Sequence, residues 1–131
     1  ARTSAVFMPL LEISGQFFGN EKKFDLLLSA WTGRPDPSMT YSLMYSKDAY
    51  FNAGRVDTGK ALADLLAESR VAERIEGRKL IFRQLQRLVM EHAMVAPLAF
   101  QYELDAASQK LKGYKPNLLG KPKYEFISLQ G

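Results

Sequence analysis

Residue types suited to binding a small molecule stand together in residues 24–37, FDLLLSAWTGRPDP. Trp31 offers a large aromatic face, Arg34 a planar cation that pairs with carboxylates, and Asp36 a carboxylate. They follow the apolar run 26–28, which predicts a buried strand that delivers them to a loop at one rim of a sheet. Loops carried on rigid strands are the usual place for binding residues. The pattern predicts a loop that holds a ligand, although position alone suits Trp31 equally well to the core.

The motifs of covalent chemistry are incomplete. Residues 54–61, GRVDTGKA, approach the phosphate-binding loop G-x4-G-K-[ST], but Ala61 has no hydroxyl for a magnesium ion and no buried apolar strand precedes them. His92 is the only histidine, and no serine stands in G-x-S-x-G or S-x-x-K. Asp25 and Asp36 lie at opposite ends of the predicted strand and its loop, which argues against a glycosidase pair. We therefore predict no enzyme, metal site or cofactor; a small hydrolase using His92 stays as an alternative.

Composition limits the class of protein further. The chain has 131 residues, 47% of them hydrophobic, which predicts one globular domain. It has no cysteine, so disulfides and thiolate sites are excluded. The net charge is +4, but the basic residues are scattered rather than concentrated in a stripe, so we predict no nucleic-acid partner.

The hydrophobic pattern predicts a mixed α/β order. Apolar spacing of three and four residues is typical of helices, and short apolar or alternating runs indicate strands. The predicted helices are 7–18, 38–45, 58–70 and 73–92; the predicted strands are 3–7, 24–31, 95–102, 106–111 and 124–129. Helix 73–92 carries arginines mainly away from its apolar stripe, so a helical module that binds an acidic partner is a second alternative.

Four segments in order carry a resemblance to a known family. They are FDLLLSAWTGRPDP (24–37), GRVDTGKALADLL (54–66) preceded by Asn52, ERIEGRKLIFRQLQRLVMEHAMVAPLAF (73–100) and LKGYKPN (111–117). The succession resembles the C-terminal part of the family-5 extracellular solute-binding proteins, the peptide- and nickel-binding receptors of ABC importers. The resemblance runs from about residue 24 to the end of the chain.

The resemblance implies a fold and a set of partners. Such receptors have two lobes that close on a ligand, and they are several times longer than this chain. Residues 1–131 would then be a single domain, a C-terminal lobe fragment with a mixed sheet and helices packed on it. The implied location is periplasmic or extracytoplasmic, with the signal peptide outside this chain. The implied partners are a peptide or other small solute, a membrane ABC permease and the missing N-terminal lobe.

The resemblance also implies a set of ligand-binding residues. Peptide receptors of this family place an acidic residue shortly after the tryptophan to hold the ligand's amino group, and this chain has Arg34 there. A cation suits a carboxylate or phosphate instead. An anionic ligand, a hydroxylated ligand, a peptide held another way and a shifted role for Asp36 all stay open, as does a surface salt bridge for Arg34. The predicted site residues are Trp31, Thr32, Gly33, Arg34, Asp36, Tyr50 and Asn52.

Overall fold

The computed structural model describes residues 2–102, 104–115 and 124–130. Within these residues the chain forms four helices and one pair of very short strands. The elements are α1 (Leu10–Phe18), α2 (Pro37–Tyr45), α3 (Ala61–Val71), α4 (Ile75–Glu91), β1 (Leu111–Lys112) and β2 (Ser128–Leu129). None of the helices in this part of the chain is long and apolar enough to cross a membrane.

The core lies between α3 and α4, with α2 packed at one side. Leu62 and Leu66 of α3 meet Ile81 and Leu85 of α4, and Leu85 is fully buried. The spacing of four residues puts each pair on one helix face, so a single apolar stripe on each helix builds this core. Two aromatic residues of α2, Tyr41 and Tyr45, are among the partly buried side chains that pack against it.

The start of α2 follows directly from its sequence. Asp36 is the N-cap residue, and its carboxylate accepts a hydrogen bond of 2.8 Å from the backbone N–H of Ser38. Pro37 occupies the first helical position, where its missing N–H leaves no hydrogen bond unmade. The residues that follow Trp31 are therefore tied to the first turn of a helix.

The two strands form an antiparallel pair near the end of the chain. Leu111 lies opposite Leu129, and Lys112 lies opposite Ser128. Gly113 follows β1 with a φ of 78°, and a Cβ atom there would come within 1.9 Å of the carbonyl oxygen of Phe126. Only glycine fits this close approach of the two backbones.

The helix predictions are confirmed, and most strand predictions are not. All four predicted helices are present within a few residues of their predicted bounds. No strand is present at 3–7, 24–31 or 95–102, and those predicted at 106–111 and 124–129 reduce to the two-residue strands β1 and β2. A strand is stable only beside a partner strand, and the described residues offer these segments none. The sequence also predicts a turn at 112–117 from its glycine and proline, and that segment lies partly outside the described residues.

The segments predicted as strands expose their large apolar side chains. Phe7, Leu26 and Leu28 are 96%, 86% and 82% exposed. Between residues 98 and 104 every second side chain is large, apolar and exposed, namely Leu98, Phe100, Tyr102 and Leu104. Alternation with a period of two is typical of a strand that buries one face.

Candidate ligand-binding site

Trp31 belongs to a cluster of aromatic residues. The Trp31 ring meets the Phe51 ring edge to face, with 4.9 Å between ring centroids. Phe51 in turn contacts Phe18 at 5.1 Å and Tyr50 at 5.2 Å. The cluster joins the end of α1, the loop before α2 and the loop 46–57, so three separate stretches of chain fix the position of Trp31. Such edge-to-face pairs stabilise a cluster beyond the burial of their surface.

Trp31 is half-buried in this cluster. The sequence suited Trp31 equally well to the core and to contact with a ligand. In the structure its ring packs against Phe51, and part of the residue stays accessible to solvent. Its indole N–H is buried and has no hydrogen-bond partner among the described residues. A buried hydrogen-bond donor without a partner destabilises the folded state, so we ask what function this unsatisfied indole N–H has.

Arg34 lies beside Trp31 at the surface. The centre of its guanidinium is 6.0 Å from the centroid of the Trp31 ring, within the range of a cation–π contact. The backbone N–H of Arg34 donates a 3.2 Å hydrogen bond to the hydroxyl of Thr40 in α2. The backbone is therefore tied to a helix while the charged end of the side chain is exposed.

Asp36, on the same loop, pairs with Arg78 of α4. One nitrogen of the Arg78 guanidinium, Nη2, donates to both carboxylate oxygens, at 2.7 Å to Oδ1 and 2.5 Å to Oδ2. Arg78 also donates through Nε to the carbonyl oxygen of Ser69 in α3, at 3.0 Å. This single arginine thus connects the start of α2, the end of α3 and the first turn of α4.

The same contacts keep Asp36 ionised. Hydrogen bonds from Arg78, and then from Ser38, lower the pKa of the Asp36 carboxyl from 3.8 to about 2. The carboxylate satisfies a helix N-terminus and a guanidinium at once, and both interactions favour its charged form. Asp36 is a structural anchor of the loop in this arrangement.

Asn52 is also occupied by the fold. It is only 4% exposed, and its amide nitrogen donates to the carbonyl oxygens of Ser46 and Val56, at 3.2 Å and 2.9 Å. Its side-chain oxygen accepts a hydrogen bond of 3.1 Å from the Val56 N–H. Both N–H groups are used, so Asn52 closes the loop 46–57 around itself.

Tyr50 is held loosely at the edge of the cluster. Its side chain is 53% exposed, and its hydroxyl donates a long hydrogen bond of 3.4 Å to the carbonyl oxygen of Ser14 in α1. Thr32 and Gly33 are exposed on the same loop as Trp31 and Arg34. The predicted site residues therefore divide into two groups. Trp31, Thr32, Gly33, Arg34 and Tyr50 lie at or near a surface, while Asp36 and Asn52 anchor the two loops.

Two important contacts escaped the prediction from sequence. The sequence predicts that the arginines of helix 73–92 lie mainly away from its apolar stripe, but Arg78 lies three residues after Ile75 and three before Ile81, which is the spacing of one helix face. That spacing was the available signal. Phe18 and Phe51 were not assigned to the site, and no spacing rule connects them to Trp31.

The features that suggested catalysis have structural explanations. His92 is the C-cap residue of α4, where its backbone N–H donates to the carbonyl oxygen of Leu88. Residues 54–61 form a turn in which Asp57 accepts a hydrogen bond from the Gly59 N–H and forms an ion pair with Lys47. In the described part of the chain, no group of three or more His, Cys, Asp or Glu could hold a metal ion.

Comparison with known proteins finds a similarity to a peptide-binding protein. The chain is similar to the probable di/tripeptide-binding protein 5 of Pseudomonas aeruginosa (strain UCBPP-PA14), with 29% identity over 111 residues. The match covers 81% of this chain and 21% of that relative, so the chain spans about a fifth of the relative's length. A span covering this share of the chain includes the Trp31 loop wherever it begins. No family model matches the chain, and no solved structure matches it.

Proposed function

We propose that this chain is part of the extracytoplasmic substrate-binding component of an ABC transporter. It captures a peptide-like or other small polar solute and delivers it to a membrane permease; it works without a cofactor and is not an enzyme. The observation that carries the proposal is the similarity to a di/tripeptide-binding protein over most of the chain. The four ordered segments that resemble solute-binding receptors support it independently.

The proposed fold is a C-terminal lobe fragment of a larger two-lobed binding protein. The exposed apolar residues support this proposal, because a protein that stood alone would bury them. The alternating series of Leu98, Phe100, Tyr102 and Leu104 fits a strand whose neighbours belong to the rest of a longer polypeptide. In that arrangement α2, α3 and α4 form the outer layer on a mixed sheet, and the predicted strands 24–31 and 95–102 belong to that sheet.

Ligand binding falls to the loop after residue 30. Trp31 walls the ligand, Arg34 sets its charge preference, and the backbone of Thr32 and Gly33 supplies hydrogen bonds. Tyr50 contributes from the neighbouring loop, 46–57. Asp36 and Asn52 hold the two loops in place and so position the residues that contact the ligand. Their hydrogen bonds within the fold support this role. The free energy for closing two lobes comes from contacts made only in the closed state.

Peptide uptake by the source organism tests the proposal. Deleting the gene that encodes this chain is expected to lower the uptake of a labelled tripeptide, trialanine, at limiting concentration. Complementation with the unaltered gene is expected to restore it. Uptake of a labelled free amino acid is the control, and it is expected to stay unchanged. Trialanine uptake that is the same with and without the gene would contradict the proposal.

A further inference from the structure

We propose that the Trp31 loop recognises a carboxylate group of the ligand through Arg34, rather than an ammonium group through Asp36. This inference rests on the proposed function and names the chemical class of the ligand at that same site. The ligand is a solute with a free carboxylate, for which the C-terminus of a short peptide is the simplest example. Three features of the described residues carry the inference.

The first feature is that Arg34 carries an unpaired charge. Its guanidinium is exposed and takes part in no ion pair among the described residues. A guanidinium offers parallel N–H donors that match the two oxygens of a carboxylate. The Trp31 ring lies beside it at 6.0 Å and provides an apolar wall for the rest of the ligand.

The second feature is that Asp36 is already occupied. Its two oxygens accept from Arg78, and Oδ1 also accepts from the Ser38 N–H. An ammonium group that displaced Arg78 would leave that guanidinium without its carboxylate and would break the ion pair between the start of α2 and α4. Since Asp36 is also the only acidic residue in 31–36, no free carboxylate on this loop is available to an amine.

The third feature is further positive charge beside the aromatic cluster. Lys22 donates to the carbonyl oxygen of Phe18 at 3.1 Å, and the Phe18 ring contacts Phe51. The pKa of Lys22 is lowered, first by desolvation and then by the nearby charge of Arg55. Lys22 and Arg55 are both exposed, so positive charge is also present on the Phe18 side of the aromatic cluster.

Competition with capped peptides tests the inference. Uptake of labelled trialanine is measured in the deletion strain complemented with the unaltered gene, and three unlabelled competitors are added. They are free trialanine, N-acetyl-trialanine, which keeps only the carboxylate, and trialanine amide, which keeps only the ammonium. The acetylated peptide is expected to compete about as well as free trialanine. The amide is expected to compete about tenfold less well, because it cannot pair with Arg34.

Two variants test whether Arg34 causes this preference for a free carboxylate. Arg34→Gln is expected to lower uptake of trialanine about tenfold at limiting concentration, by loss of the charge-assisted pair. Arg87→Gln, at an exposed position on α4, is the matched control and is expected to leave uptake unchanged. Equal abundance of the two variants in the cell shows that neither effect comes from unfolding.

The outcomes separate this inference from the proposed function. If gene deletion abolishes uptake but the amide competes as well as free trialanine, or Arg34→Gln transports normally, the carboxylate inference is overturned and the proposed function stands. If gene deletion leaves uptake unchanged, both are overturned. The inference is supported when the acetylated peptide competes, the amide does not, and Arg34→Gln alone loses uptake.

Discussion

The helical unit of α2, α3 and α4 and the segments 24–30 and 95–102 contain similar apolar side chains in opposite environments. Leu85 of α4 is fully buried, whereas Leu98 is 77% exposed and Phe100 is wholly exposed. A helix makes its backbone hydrogen bonds within itself, so three helices can join their apolar faces and form a core. A strand makes its hydrogen bonds to a neighbour. The helical unit and the two segments are therefore similarly apolar. They differ in whether the chain itself supplies the groups that their backbones and apolar side chains need to contact.

Truncating the centre of the helical core is expected to have the largest effect. Leu85→Ala removes a side chain with no exposure, and the lost burial together with the cavity is expected to cost about 2–5 kcal/mol of unfolding free energy. Urea unfolding followed by circular dichroism measures it. Leu98→Ala, measured like Leu85→Ala in residues 1–131 alone, is the matched control and is expected to change the value by less than about 0.5 kcal/mol, because Leu98 is 77% exposed there. Equal losses at both positions would contradict the division into two regions.

Removing the anchor that connects α2 to the other helices is expected to have the next largest effect. Asp36→Ala loses both the N-cap of α2 and the pair with Arg78, which we expect to cost about 1–2 kcal/mol after allowing for solvent screening of a partly exposed pair. Asp36→Asn keeps a capping oxygen and is expected to lose only the charge interaction. The free energies of unfolding of these variants, of Arg78→Gln and of the double variants form a double-mutant cycle. The cycle separates the contribution of the ion pair from that of the N-cap. A coupling energy of zero would show that the ion pair contributes nothing.

The same anchor predicts how stability depends on pH. The folded-state pKa of Asp36 is lowered from 3.8 to about 2, so the unfolded state binds this proton more readily than the folded state. Its stabilisation is therefore present above about pH 4 and is lost as the pH falls towards 2. Discounted for screening of a carboxylate that is 40% exposed, the expected loss is about 1 kcal/mol.

Comparison with Asp36→Asn measures this pH dependence. The difference in unfolding free energy between the unaltered chain and the variant is expected to shrink as the pH falls through that window. A difference that stays constant from neutral pH down to pH 2 would contradict the assignment to Asp36.

A small gain in stability is expected within the helical unit. Gly77 lies in the first turn of α4, and a Cβ atom there would meet nothing within 4 Å. Gly77→Ala is expected to stabilise the chain by about 0.5 kcal/mol, because alanine loses less backbone freedom in a helix. Gly113→Ala is the contrasting variant, since its Cβ would collide with the Phe126 carbonyl and unpair β1 from β2. Unfolding measurements that show no gain for Gly77→Ala would contradict this prediction.

Local patterns predicted the helices because the information for a helix lies within the helix. The spacing of the apolar residues, Leu62 and Leu66 in one segment and Ile81 and Leu85 in the next, was enough to predict α3 and α4. The strands could not be placed in the same way, because a strand depends on a partner that need not be near in sequence. The alternation at 98–104 still marks a strand-like segment, and the lobe proposed above would supply its partner.

The candidate site shows the same difference between contacts that are local in sequence and contacts that are distant. Trp31 and Arg34 are three residues apart, and their sequence neighbourhood predicted that they would act together. Asp36 and Arg78 are 42 residues apart, so the ion pair that occupies the Asp36 carboxylate became visible only in the folded chain. The contacts of Trp31 with Phe51, and of Phe51 with Phe18, depend on the fold for the same reason.

Photo-crosslinking tests most directly whether the Trp31 loop binds the ligand. Trialanine carrying a diazirine would be irradiated with the protein as it is made by its source organism, and mass spectrometry of the digested protein would locate the adduct. The account predicts an adduct within residues 31–36 or at Tyr50, suppressed by excess free trialanine and by N-acetyl-trialanine. An adduct confined to α4, or one that excess trialanine does not suppress, would contradict it.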